Sequence, residues 1–286
     1  MSVLQVPGAR LHYETVGSGP PLLMIPGGNG TAHIFQPIAQ LLAERFTVIT
    51  YDRRGFARSQ LDGAQNYERR LETDASDALE LIEQVGREPA VVFGPSSGAI
   101  VALQAITQGP GLVDKLVAFE PPALKQLANG KQMLAFFDEV YDVYKTSGIP
   151  PAFERFNSAM FPRETIEHFA RMRDPSLPGV RAAIEYWFEH ELRQYCAVDL
   201  DIDALRANAA RITMAVGKGS RGYPLHDATA NIARKLGQSL VELPGSHTGY
   251  ATRAAEFGPA LVDLVAGIAA PTSMRAAAES PRPHRI

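Results

Sequence analysis

The chain has 286 residues, 45% of them hydrophobic and 21% charged. That apolar content supports a sizeable core and excludes global disorder, and the length suits one large α/β domain or a core with an insertion. A net charge of −3 gives no basis for a nucleic-acid or anionic-membrane partner. Cys196 is the only cysteine, so there is no intrachain disulfide and no cysteine cluster for zinc; it reads as a small core hydrophobe. The first eight residues lack the basic start and apolar stretch of a secretion signal, and no apolar run approaches the roughly 18 residues of a membrane span. The expectation is a cytoplasmic protein.

In chain order, the alternating segments Val3–Val6 and Arg10–Val16 flank Pro7-Gly8 and predict a hairpin. Pro21–Ile25 is a buried-strand run, ended by Pro26-Gly27-Gly28-Asn29-Gly30. His33–Arg45 has apolar residues at helical spacing. Phe46–Tyr51 is a further strand, followed by Asp52-Arg53-Arg54-Gly55-Phe56-Ala57-Arg58-Ser59. Tyr67–Val85 reads as a helix. Pro89–Phe93 forms a strand, and a helix runs from Ala99 to about Thr107. Lys115–Phe119 is the next strand, met at once by Glu120-Pro121-Pro122. From 123 to 208 no buried-strand run occurs, and aromatics and helix formers dominate; this segment is expected to be a helical cap inserted between two core strands. The core resumes with Arg211–Val216 as strand, His226–Leu236 as helix, Ser239–Leu243 as the last strand and Ala254–Ile268 as the closing helix. Alternating strands and helices predict an α/β fold with a doubly wound, mostly parallel, eight-stranded sheet. The domain plan is core over 1–122, cap over 123–208, core again over 209–270, and a disordered tail rich in Pro, Ser, Ala and Arg over 271–286.

Between the fifth strand and its helix stands Gly94-Pro95-Ser96-Ser97-Gly98. G-x-S-x-G in a strand–turn–helix setting holds the serine hydroxyl out at the carboxyl edge of the sheet, above a helix N-terminus. Glycines on either side let strand and helix backbones pass closely. Such a site suits a nucleophile next to which negative charge develops on an acyl oxygen.

Four motifs in order resemble the α/β-hydrolase family, over nearly the whole of residues 3–268. Pro26-Gly27-Gly28-Asn29-Gly30 is similar to the oxyanion loop, and the 52–59 segment to the D-x-R-G-x-G-x-S turn, with Ala57 in place of the second glycine. The 94–98 segment resembles the nucleophile elbow, and Gly245-Ser246-His247-Thr248-Gly249 the histidine loop after the last strand. The resemblance implies Ser96 as nucleophile and His247 as general base, since a serine hydroxyl is a poor nucleophile without one. It implies the backbone N–H groups of Ser97 and Gly28 as the oxyanion hole, with Asn29 a weaker candidate. The family's usual acid follows the seventh-strand glycine, but Gly217-Lys218-Gly219-Ser220-Arg221-Gly222-Tyr223 carries no carboxylate. Glu120 comes immediately after the sixth strand, where the zearalenone lactone hydrolases of this superfamily place a glutamate, and its prolines would aim it rigidly. Asp227 is the alternative acid.

His33, His190 and His226 lack metal-ligand spacing, so no metal is expected. Gly27-Gly28-Asn29-Gly30 is not G-x-G-x-x-G, and no acidic residue ends the next strand as a ribose ligand, so no dinucleotide and no other cofactor is expected. Asn29, His33 and Trp187 are candidate substrate-binding residues, Trp187 equally a cap-core residue. The resulting expectation is a cofactor-free serine esterase or lactonase acting on a small-molecule ester or lactone that is bulky and apolar. Thioester, C–C bond and perhydrolase chemistry, or a ligand receptor on the same fold, stay open. The sequence carries no signal for oligomeric state.

Overall fold

The computed structural model describes residues 2–174 and 176–266. The expected disordered tail, and the last residues of the closing helix, lie outside that range. The hairpin β1 (Ser2–Val6) and β2 (Ala9–Val16) opens the chain, followed by β3 (Pro21–Met24), α1 (Gln36–Leu42), β4 (Thr47–Tyr51) and the two-residue β5 (Gln60–Leu61). Then come α2 (Arg70–Leu81), β6 (Ala90–Pro95), α3 (Ser97–Gln108) and β7 (Val113–Phe119). Six helices then succeed one another without a strand among the described residues, the first five being α4 (Gly130–Ser147), α5 (Ile149–Met160), α6 (Arg163–Met172), α7 (Pro178–His190) and α8 (Leu192–Cys196). The described residues end with α9 (Ile202–Ala207), β8 (Ile212–Gly217), α10 (Pro224–Lys235), β9 (Val241–Leu243), α11 (Gly249–Thr252) and α12 (Ala254–Ala266).

The sheet order is β1-β2-β4-β3-β6-β7-β8-β9, antiparallel at β1/β2 and β2/β4 and parallel from β4 onward. These eight strands are those of the sequence reading. The ninth, β5, pairs Gln60 and Leu61 with the start of β2 and is too short to leave a period in the sequence. Strands β3 and β6 are buried along their whole length, as expected where helices cover both faces. One face packs Leu23, Val92 and Leu116 against α2 and α3; the other packs Met24, Phe93 and Val117 against α1 and α12. A third apolar cluster joins α4–α8 around Phe137, Phe156 and Phe188, and rests on the core through Phe56 and Leu225. Leu205 of α9 packs with the first cluster, beneath the sheet, so the helical layer over the carboxyl edge consists of α4–α8.

Helix ends shift from the sequence reading for local reasons. The 33–45 segment splits into a 3₁₀ turn and α1, because Pro37 fits only the first turn of an α-helix. The 67–85 segment likewise starts as a 3₁₀ turn and widens at Ile82–Gly86 before Arg87, at φ 63°, ends it.

Candidate active site

Ser96 joins β6 to α3 with φ 55° and ψ −128°, a conformation non-glycine residues rarely adopt. Such strain costs roughly 1–3 kcal/mol and persists only where surrounding contacts hold it. Here the Ser96 N–H donates to Phe119 O at 2.8 Å, and Ala99 N–H donates to Ser96 O at 2.8 Å. The elbow closes because Gly98 has no Cβ: one there would lie 2.2 Å from Ile25 O. Ser96 is half-buried and Ser97 is buried, its amide at the first turn of α3.

Glu120, immediately after β7, has φ 49°, the same uncommon region, and its N–H donates to Ala215 O at 3.0 Å. Its Oε1 accepts from the Gly217 N–H at 2.8 Å, and its Oε2 lies 2.6 Å from His247 Nδ1. Glu120 and His247 are only 1% and 2% exposed, so the contact is dry. A carboxylate there selects the tautomer with the proton on Nδ1 and leaves Nε2 as the basic nitrogen. Phe161 packs on the His247 ring, with centroids 4.6 Å apart. Ser246 Oγ meets Thr165 Oγ1 of α6 at 2.9 Å, tying the histidine loop to the helical layer. Asp227 lies on α10, its side chain 61% exposed and beside His226 at 3.1 Å.

The loop after β3 is held from below. Gly30 N–H donates to Gly27 O at 2.9 Å, and Arg53 N–H to Gly30 O at 2.8 Å. Arg53 is fully buried; its Nη2 donates to Gly27 O and to Glu191 at 2.8 and 2.9 Å, and its Nη1 to Asp74 at 2.8 Å. Arg70 stands between the same two carboxylates, at 3.6 and 3.7 Å. Burial alone would raise the Asp74 pKa, but Arg70 and Arg53 hold it below the usual range. Asp52 Oδ1 accepts from Ala32 N–H at 2.8 Å and its Oδ2 from Arg58 Nε at 2.7 Å. Thus the 52–59 turn fixes the loop after β3, and Glu191 links both to the helical layer. Neither Gly28 N–H nor Ser97 N–H donates to another group among the described residues.

A cavity of about 40 Å³ is lined by Gly28, Ser96, Ser97 and His247, so these residues face one chamber. A much larger cavity of about 990 Å³ opens beside it. Gly28, Asn29, Ile34, Phe169, Arg173 and Trp187 line both and form the wall between them. His33 is exposed and lines only the larger one. Trp187 is 7% exposed and belongs to the apolar cluster of the helical layer, so it is at once a core residue and a cavity wall. Among the described residues no group of three or more His, Cys, Asp or Glu is placed to hold a metal ion. No helix of the described chain is long and apolar enough to cross a membrane.

The profile of the alpha/beta hydrolase fold family matches residues 20–174. The chain belongs to the alpha/beta hydrolase family. The uncharacterized hydrolase YraK of Bacillus subtilis (strain 168) is 35% identical over 271 residues, spanning 92% of this chain and 94% of that protein. Among solved structures, Rv0554 of Mycobacterium tuberculosis superposes with TM-score 0.69 at 23% identity, over 91% of this chain and 95% of its own. The enol-lactonase of Burkholderia xenovorans LB400 superposes with TM-score 0.67 at 17% identity, over 93% and 100%. At these identities the superpositions bear on the fold.

Two groups at the site carried no role in the sequence reading. Arg53 was visible as the second residue of the 52–59 motif, but its partners Asp74 and Glu191 are distant in sequence. Arg173 sits in Arg171-Met172-Arg173-Asp174, a charged run that reads as solvated surface; only the tertiary packing puts it in the cavity wall.

Proposed function

We propose that this hydrolase cleaves a carboxylic ester or lactone through an acyl-enzyme on Ser96. The observation that carries this reading is the buried 2.6 Å contact of Glu120 with His247, whose ring shares a chamber with Ser96. Ser96 Oγ attacks the acyl carbon while His247 Nε2 takes its proton. Glu120 keeps the imidazole in that tautomer and stabilises the imidazolium. The backbone N–H groups of Gly28 and Ser97 receive the oxyanion; each such donor is worth about 2.7–4 kcal/mol in the transition state. His247 then protonates the leaving alcohol, and water attacks the acyl-enzyme by the same route in reverse. A serine at the elbow favours ester cleavage over epoxide opening, which on this fold uses an aspartate nucleophile. The apolar walls contributed by Phe153, Phe169, Ile184 and Trp187 favour a bulky substrate. The name of one structural neighbour, an enol-lactonase, accords with the lactone arm of this reading.

A fluorophosphonate probe tests it, together with a panel of chromogenic esters, lactones and thioesters. The expected result is stoichiometric labelling at Ser96 and turnover of at least one ester or lactone, both abolished by Ser96→Ala with an unchanged circular dichroism spectrum. Ser96→Ala retaining more than a small fraction of turnover overturns the serine-nucleophile mechanism.

A further inference from the structure

Arg173 is a cation set among rings at the doorway of the chamber. Its guanidinium lies over Phe169, 3.8 Å from the ring centre, and 4.9 Å from that of Phe153. Among the described residues its Nη1 is buried without a hydrogen-bond partner, and none of its side-chain nitrogens meets a carboxylate. Neighbouring Asp174 is exposed and accepts from Ser176 N–H instead. Burial lowers the Arg173 pKa to about 10, so it stays cationic at neutral pH.

The carboxylates lining the two cavities are already matched. Glu191 is held by Arg53 and Arg70. Asp52 and Glu14 share Arg58, at 2.7 and 2.5 Å. Among the described residues Arg173 is therefore the cation in these walls without a counter-charge, on the partition that a substrate crosses to reach Ser96. A guanidinium presents a planar fork of N–H donors suited to a carboxylate, and the stacking beneath it fixes the plane of that fork. Cation–π contact at about 0.5–2 kcal/mol compensates only part of the desolvation of a buried charge. A half-buried cation with a buried, unpartnered Nη1 in a ligand cavity points to a ligand that supplies the anion.

We propose that Arg173 is a carboxylate-recognition residue and that the substrate is an ester or lactone bearing a free carboxylate, seated on the Arg173 guanidinium while its acyl carbon reaches Ser96. The ester-cleavage part rests on the proposed hydrolase reading; the anion site stands on the cavity wall itself. It makes Arg173 a specificity residue rather than a catalytic one, because its task is to orient the uncleaved end of the substrate.

Matched substrates test this directly. Mono(4-nitrophenyl) succinate, glutarate and adipate place a carboxylate on the acyl side, and their methyl esters are neutral counterparts; 4-carboxyphenyl butyrate and its methyl ester place it on the leaving side. In the wild-type protein at least one carboxylate should exceed its neutral counterpart roughly tenfold or more in kcat/KM, the scale of a charged hydrogen bond. Arg173→Met should erase that ratio, which is internal to each protein and so unaffected by the active fraction. A neutral preference throughout the wild-type series, or a carboxylate preference that survives in Arg173→Met, overturns the proposal. A binding arm separates it from the hydrolase reading: 4-phenylbutyrate, but not 4-phenylbutyramide, should raise the Tm of the wild-type protein and leave that of Arg173→Met unchanged. Arg173-dependent binding without turnover of any ester would retain the anion site and discard the esterase. Equal shifts with acid and amide overturn the anion site.

Discussion

Glu120 grips His247 with one oxygen at 2.6 Å and the Gly217 backbone N–H with the other at 2.8 Å. The glycine at the end of β8, after which the family resemblance expects an acid, thus serves instead as the anchor of a glutamate from the neighbouring strand β7. Both strands present their carboxyl ends to the same edge, so the acid can change strand without changing its distance to the histidine. Glu120→Gln keeps the shape and donates an N–H where a carboxylate accepted one, favouring the wrong tautomer. The expected loss is roughly 10³–10⁴-fold in kcat. Asp227→Asn, altering a side chain 61% exposed, should leave kcat within about twofold. Steady-state kinetics on one chromogenic ester checks both; equal losses would remove Glu120 from its role.

Arg53 is the hub beneath the loop after β3, reaching Gly27 O, Asp74 and Glu191 from one guanidinium. Glu191→Gln leaves Arg53 and Arg70 sharing Asp74 as their remaining buried carboxylate. Removing one member of such a group costs about 3–5 kcal/mol, because a buried charge loses its compensation. Thermal and urea unfolding should show this loss. Because Arg53 also holds Gly27 O, kcat should fall as well in the fraction that stays folded. A variant with wild-type stability would mean that water compensates the cations.

The same network sets an acid limit. Asp74 has its folded pKa held below the ordinary 3.8, against the opposing effect of burial, by Arg70 and Arg53. A lowered carboxylate pKa means that the unfolded chain binds the proton more readily. Asp74 therefore contributes its full stability above about pH 4, and loses it as pH falls through the lower folded value. Urea unfolding at a series of pH values should show this loss as a drop in stability below about pH 4. Asp74→Asn should be less stable at pH 7 and should show a shallower drop in acid. An unchanged acid slope in the variant would assign the drop to other carboxylates.

What the sequence disclosed is local in the chain. The Ser96 elbow is written in five consecutive residues because its geometry needs Gly94 and Gly98 beside the serine, and β3 and β6 announce themselves as apolar runs because both faces are buried. The prolines after Glu120 were likewise adjacent. The parts that escaped depend on distant partners. Arg53 and Glu191 are 138 residues apart and meet only when the helical layer seats on the core. Arg173 looks like a surface residue until Phe169 and Phe153 fold beneath it. Hydrophobic patterning finds the core; it has no means of marking a charge that the fold buries.

Trp187 and Gly28 give the sharpest test of how the helical layer meets the loop after β3, and of the proposed role of the Gly28 N–H as an oxyanion donor. A Cβ on Gly28 would lie 2.6 Å from Trp187 Nε1. The indole has little room to yield, being packed against Phe188, Phe156 and Phe153 with ring centroids at 4.9, 5.4 and 5.9 Å. Gly28→Ala should therefore displace the loop rather than the ring, and misplace the Gly28 N–H. The expected loss is up to about 10²–10³ in kcat, the scale of one oxyanion donor. Trp187→Ala alone opens the wall between the two cavities and should raise activity on large esters relative to small ones. Combined with Gly28→Ala, it removes the obstacle to the new methyl group. The double variant should then recover part of the kcat lost by Gly28→Ala, a coupling that separate effects cannot produce. Kinetics on a short and a long acyl ester for the four proteins of the cycle provides the measurement. Losses that simply add would show that Gly28 acts independently of the indole, and an equal effect of Trp187→Ala on both esters would leave Trp187 a core residue only.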